Sequence, residues 1–269
     1  VSYSPGVYEG ISNADYHADP ALGSTSLKTL ATKTPAHWKW ERDNPPEPKD
    51  AFELGTVVHS LVLEQDESGV VVVEAENWMT KAAKEAKAEA RAAGKIPLLP
   101  KDWAQVTAMR DSIMAHPAAR HAFTGHRSEA SVFWDEDGLM LKCRPDAWQP
   151  GYLVDLKTTI NADPRNFPKL AYDLGYFQSA AHYQDGVANW FGEALPFVFV
   201  LAEKQPPYLV SVVELTDEAL AHGREANHRA KQIYRECLAT DTWPGYPDTP
   251  PLGLPKWATR QLEETLDEF

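Results

Sequence analysis

Residues 142–159 read KCRPDAWQPGYLVDLKTT. Two apolar runs meet here across the turn Gln149-Pro150-Gly151, and each carries a carboxylate. Asp146 closes the first run, directly after Pro145; Asp155 and Lys157 lie two apart in the second. Side chains of a β-strand alternate between faces, so Asp155 and Lys157 share one face while Tyr152, Val154 and Leu156 take the other. A carboxylate and an ammonium on one face of a largely apolar strand are costly unless paired or bound to something. Taken alone, they read as an ordinary ion pair. With Asp146 converging on them, the same groups suit a divalent metal and an activated water.

The neighbouring sequence supplies more strands. Residues 129–134 and 139–144 are apolar runs joined by Asp135-Glu136-Asp137-Gly138, whose Asp-Gly pair supports a hairpin. With 152–157 they predict a three-stranded meander. Downstream, a loop rich in Asn, Asp and Pro leads to a helix over 167–191, strands over 197–202 and 209–214, and a long helix over 216–238 opened by Thr216-Asp217-Glu218. The tail, ending in the acidic QLEETLDEF, reads as irregular and solvated.

Upstream, residues 1–20 read as an extended, turn-rich lead-in. A helix begins at Gly23-Ser24-Thr25-Ser26, where hydroxyls suit an N-cap, and ends before Pro35. A short helical piece holds Trp38 and Trp40, and 44–48 is a loop. Phe52, Leu54, Val58, Leu61 and Val62 predict a helix over 51–65, which sets Gly55 and His59 four apart on one face. Glycine inside a helix costs about 1 kcal/mol relative to alanine, and close packing is the reason expected for it here. His59 by itself reads as a buried histidine bonded to backbone. A strand at 70–73 precedes an alanine-rich helix over 77–94 that carries Lys81, Lys84, Lys87 and Arg91 as a basic stripe. Such a stripe is either a solvated face or a nucleic-acid contact. Another helix covers 100–116. His116, His121 and His126 recur every five residues, a spacing that puts no ligand set on one helix face, and read as non-metal histidines. The order of elements predicts an α/β fold with a central mixed sheet flanked by helices.

Composition narrows the rest. The 269 residues are 43% hydrophobic, enough for one substantial core. No run of 18 apolar residues exists, so no membrane partner is expected. The opening VSYSPGVYEG lacks the pattern of a secretory signal, and the two cysteines, Cys143 and Cys237, suit a reducing compartment; a cytoplasmic location is the expectation. Two thiolates cannot hold an iron–sulfur cluster. A net charge of −13 argues mildly against nucleic acid, although an acidic exterior is compatible with a locally basic cleft.

His59, then Arg144-Pro145-Asp146, then Asp155-Leu156-Lys157 in that order resemble the PD-(D/E)xK nuclease superfamily, in the variant with Asp in the second acidic position. PGVYEGISNADYH, GSTSLKTL, FELGTVVHSLVLE, SEASVFW, LKCRPDAW, YLVDLKTT, HYQDG and LPKWA together resemble the RecE-type exonucleases (exonuclease VIII), often phage- or prophage-borne. The resemblance implies a restriction-endonuclease-like core in a single nuclease domain. Residues 1–125 would be its mostly helical part carrying His59, 126–240 its catalytic sheet and 241–269 an irregular tail. It also implies a Mg²⁺-dependent exonuclease, with Mn²⁺ able to substitute, that degrades one strand of duplex DNA from its 5′ end and leaves 3′ overhangs for recombination. Metal ligands would come from Asp146, Asp155, His59 and the backbone carbonyl near Leu156. Lys157 would position or help deprotonate the water, its pKa lowered by metal charge. Glu129 resembles an acidic position at the start of the first core strand, either a surface carboxylate or a support for the ligands. In related nucleases a following helix carries Gln and Tyr four apart; here Gln178 and Tyr183 are five apart, which turns them away from each other. Ser24 and Ser26 would hold a terminal phosphate or merely cap their helix. DNA ends, a homo-oligomeric ring and a RecT-type annealing protein are the implied partners. Other superfamily nucleases, an endonuclease or a Cas4-like enzyme without its cluster, and an inactive DNA-binding module are the competing readings.

Overall fold

The computed structural model of the chain describes residues 2–45 and 50–266. In chain order the elements are β1 (Gly6–Tyr8), α1 (Asn13–Ala18), α2 (Ser24–Thr32), α3 (Pro35–Asp43), α4 (Asp50–His59), β2 (Val70–Val72), α5 (Lys81–Ala92), β3 (Ile96–Leu98), α6 (Pro100–Ala115) and α7 (Pro117–Ala122). There follow β4 (Arg127–Ser128), β5 (Ser131–Glu136), β6 (Leu139–Cys143), β7 (Ala147–Gln149), β8 (Tyr152–Thr159), α8 (Phe167–Asp173), α9 (Tyr176–Phe191), β9 (Phe197–Glu203), β10 (Val210–Glu214), α10 (Asp217–Thr240) and α11 (Lys256–Leu266).

A five-stranded mixed sheet runs β10-β9-β8-β7-β4, with β8 and β9 parallel and the other pairs antiparallel. Both faces of its centre are buried, which explains why β9 reads as the unbroken apolar run FVFVLA. On one face Val154, Leu156, Val200 and Ala202 pack with Val57, Val58 and Leu61 and with Val106 and Met109 of α6. On the other, Leu153, Phe197, Phe199 and Leu201 pack with Leu27, Leu30, Ala180 and Val187. The result is an α/β sandwich with the sheet in the middle, as the order of elements predicts.

The meander is present, but it bends. Its first two strands form one long hairpin whose outer half is β5–β6 and whose inner half is β4–β7; both halves keep a single register, with Glu129 opposite Asp146. At that level the hairpin leaves the main sheet. Glu129 takes a left-handed φ of 50°, and Pro145 offers no backbone N–H to a ladder. Only the inner half pairs with β8; the outer half joins β1 in a separate three-stranded sheet. Glu129 therefore lies between strands instead of opening one.

Other expectations also change. The lead-in is ordered: β1 pairs with β5, and α1 is capped by the Ser12 hydroxyl. The helix expected over 167–191 is two helices, because Gly175 turns left-handed (φ 64°) between them. The helix expected from 77 begins at Lys81, capped by Thr80. β3, unforeseen, pairs in parallel with β2. The tail holds a helix, α11, instead of being wholly irregular. Gly23, not a serine, sits at the N-cap of α2, and no side-chain hydroxyl caps that helix. The loop expected at 44–48 lies largely outside the described residues, as does the side chain of Phe52. No described helix is long and apolar enough to cross a membrane.

Candidate metal centre and nuclease site

The bend in the hairpin opens a gap in the sheet, and the gap holds the acidic cluster. β7 follows β8 only as far as Ala147 opposite Val154. Beyond that point no described strand covers this edge of β8. The Leu156 N–H, which would otherwise lack a ladder partner, donates to Asp146 Oδ2 at 2.7 Å. The Glu129 N–H donates to the Asp146 carbonyl at 3.1 Å, which fixes the two acidic residues against each other. His59 enters from α4, at the step where the α-helix passes into a π-helical turn, Ser60–Glu64. Such single π-turns recur at functional sites. Its Nδ1 stands 3.5 Å from Asp146 Oδ2.

One ligand atom each from His59, Glu129 and Asp146 lies within 4.8 Å of the other two. Burial, then the nearby Asp155 charge, raises the Asp146 carboxyl well above the usual carboxylate range. Burial chiefly pushes Glu129 up to about 7, against the opposing pull of Arg144. Burial, then Lys157, lowers His59 to about 4, while a backbone hydrogen bond with Leu156 works the other way. Two carboxyls that resist ionisation beside an uncharged imidazole form a cluster that a cation would relieve. Oxygen and imidazole donors without thiolate fit Mg²⁺ or Mn²⁺. Cys143 is fully buried, and burial drives its thiol pKa up, so it is no ligand.

Asp155 and Lys157 share a face of β8, as alternation requires, and form an ion pair with each other. Asp155, expected in the ligand set, is paired with Lys157, and Glu129 joins His59 and Asp146 in the closely spaced trio. Burial alone would lower the Lys157 pKa, but Asp155 and then Asp146 outweigh it and hold the group raised. The lowering expected for Lys157 comes from metal charge, which would act against this pull of the two carboxylates. The Lys157 Nζ lies 5.3 Å from the centre of the Tyr176 ring.

The far wall resolves the spacing of Gln178 and Tyr183. Gln178 is buried against α10, where its Nε2 donates to Asn227 Oδ1 at 3.4 Å and Asn227 Nδ2 donates back to its carbonyl at 2.9 Å. It ties two helices together. Tyr183 does face the site: burial, then Tyr16 and Asp155, raise its pKa well above the ordinary phenol value. Its partner on that face is Tyr176, seven residues earlier and so two turns away on the same side of α9. Tyr176 was readable from that interval. Lys28, four residues after Ser24 on α2, also approaches the site; burial and then Lys157 lower its pKa. Arg144, inside the Arg-Pro-Asp turn, is a further missed residue. Its Nε donates to Ser131 Oγ at 2.8 Å, its Nη2 to the Ile11 carbonyl at 3.1 Å, and its Nη1 lies 3.7 Å from Glu129 Oε2.

Lys81 pairs with Glu85 on its own helix at 3.7 Å, and Lys87 lies over the Trp78 ring; Lys81 and Lys84 are exposed on α5. Ser24 and Ser26 are half-buried in the first turn of α2. Of the three recurring histidines, His116 caps α7 and His121 bonds the Tyr152 hydroxyl. Beside the cluster lies a cleft of about 630 Å³, bordered by Gly10–Asn13, by Gly55, His59 and Ser60, and by Glu129 and Arg144.

Residues 23–249 match the family described as a PDDEXK-like domain of unknown function (DUF3799). No curated protein matches the chain. Among solved structures, a putative exonuclease from Eubacterium rectale superposes with a TM-score of 0.62 at 16% identity, over 90% of this chain and 97% of that one. A phage-related exonuclease from Haemophilus somnus (TM-score 0.37, 10% identity, 82% and 96% covered) and an alkaline exonuclease from Laribacter hongkongensis (0.29, 16%, 80% and 97%) are more distant.

Proposed function

Because the chain belongs to the PDDEXK-like family, we propose that it is a divalent-metal-dependent exodeoxyribonuclease of RecE type. It would degrade one strand of duplex DNA from the 5′ end and leave 3′ overhangs for annealing. The observation that carries this reading is the Asp155–Lys157 pair on β8 beside the closely spaced His59, Glu129 and Asp146. A solved structure of the same fold, described as a putative exonuclease, supports it.

His59, Glu129 and Asp146 would hold the ion, with Leu156 backbone beside them. Bound Mg²⁺ or Mn²⁺ supplies charge neutralisation at the phosphoryl group and a more acidic water. The chain's own part is orientation. Asp155 keeps the Lys157 ammonium at the mouth of the trio, where it donates to the attacking water or a phosphoryl oxygen. Tyr183 and Tyr176 wall the opposite side and limit water. Arg144 braces Glu129. Lys28 adds positive charge where a phosphate would sit, with Ser24 and Ser26 on the same helix as further phosphate contacts. The acidic exterior is compatible with a ring of copies that encloses DNA in a more basic channel, and a single-strand annealing protein of RecT type would take the product.

Digestion of linear duplexes bearing 5′-phosphate, 5′-hydroxyl or blocked ends, with and without Mg²⁺, tests the reading. Metal-dependent release of nucleotides from the free 5′ end is expected. Cutting of a closed circle would instead make this an endonuclease, and binding without release would make it a DNA-binding module.

A further inference from the structure

Helical glycines in this fold are of two kinds. A Cβ on Gly186 would meet the Trp134 ring at 2.6 Å, and one on Gly223 would meet the Phe177 carbonyl oxygen at 2.3 Å. Those two are glycines because helices and sheet press against them. Gly55, inside α4, differs. Among the described residues, the nearest atom to a Cβ there is Thr158 Oγ1 at 3.6 Å, an ordinary contact. Among the described residues the close packing expected from the sequence is absent, and Gly55 has no left-handed φ to require it. Alanine would fit and would favour the helix.

Gly55 borders the cleft beside the acidic cluster and lies one helical turn before His59, on the same face. Glu129 and Arg144 border the same cleft. A bare helix face beside the trio leaves room for something that comes close to the α4 backbone. We infer that Gly55 is a substrate-clearance residue: it lets the sugar–phosphate chain of the strand being cut lie against α4, one turn from His59. The inference rests on the nuclease reading for its substrate. Glycine serves close backbone approach of a ligand in just this way.

The test is Gly55→Ala and Gly55→Leu, each measured for melting temperature, for steady-state cleavage of a linear duplex with Mg²⁺, and for binding of a fluorescent duplex without metal by anisotropy. Gly55→Ala is expected to melt at the wild-type temperature or about 2–4 °C above it. Its KM and its duplex Kd should nevertheless rise on the order of tenfold, and further in Gly55→Leu. A fall in the melting temperature of Gly55→Ala would make Gly55 a packing glycine and overturn the inference. So would unchanged KM and Kd in a wild-type-active protein. A wild-type protein that binds duplex without cleaving it would sink the nuclease reading while the Kd comparison still decides Gly55. A protein that neither binds nor cleaves DNA overturns both.

Discussion

Strand β8 and the bent hairpin each contribute acid to the same gap, but they do so by different rules. β8 is regular and buried, and its pleat alone puts Asp155 and Lys157 on one face. The hairpin contributes Glu129 and Asp146 because it stops being regular, through a left-handed residue on one strand and a proline on the other. A strand that keeps its pattern fixes its functional side chains as a by-product of packing. A strand that breaks its pattern places them by backbone strain, which alternation does not reveal.

The largest effect expected separates these two contributors by chemistry. Lys157→Ala on β8 and Asp146→Asn on the hairpin should each lower cleavage by about 10²–10⁴-fold. Circular dichroism should remain that of the wild type. Activity within a few fold of wild type in either purified variant would dissolve the assignment of the gap as the site. Glu129→Gln sharpens the comparison, because the bend predicts a ligand where the pleat does not. Mn²⁺ affinity by calorimetry should weaken about 10–100-fold, and Asp155→Asn should weaken it less. Equal losses would place Asp155 with the trio.

Acid tests the anchor that holds the hairpin to α9. His182 hydrogen-bonds the Lys142 carbonyl on β6 at 2.9 Å, and burial lowers its pKa to about 4. Its folded pKa lies below the unfolded value, so the stability it lends is full above about pH 6.5 and is lost as pH falls toward 4, roughly 3 kcal/mol in all. The melting temperature should therefore fall as pH drops from about 6.5 toward 4, and His182→Gln should flatten part of that fall. The smallest effect expected is at Gln178. Gln178→Ala should cost about 1–2 kcal/mol of stability through Asn227 and leave kcat within a few fold, whereas Tyr183→Phe should leave stability nearly unchanged and lower kcat more.

These contrasts show what the sequence made legible. β8, β9, α10 and the order His59, Asp146, Asp155, Lys157 were readable because each rests on local periodicity or on a motif in register. The α/β sandwich followed from the same signals. The promotion of Glu129 to the trio was not readable, since it depends on a register shared across the hairpin and on a positive φ. The bonds between Gln178 and Asn227 were not readable, because helical spacing fixes a face but not which neighbour that face meets. Lys28 approaches the site from a helix more than a hundred residues away in sequence, a placement that only the packing of α2 on α9 decides.

The Lys142 ammonium donates to the carbonyls of Tyr16 and Asp19, and Arg144 both donates to Ile11 and lies 4.0 Å from the Tyr16 ring centre. The family match begins at residue 23, so it leaves out the very segment that satisfies these two buried cations. A fragment cut at that boundary would strip both carbonyl acceptors from Lys142 and the Ile11 acceptor from Arg144, and would remove one wall of the cleft. The unit recognised by sequence and the unit that completes the cleft are therefore different lengths of the same chain.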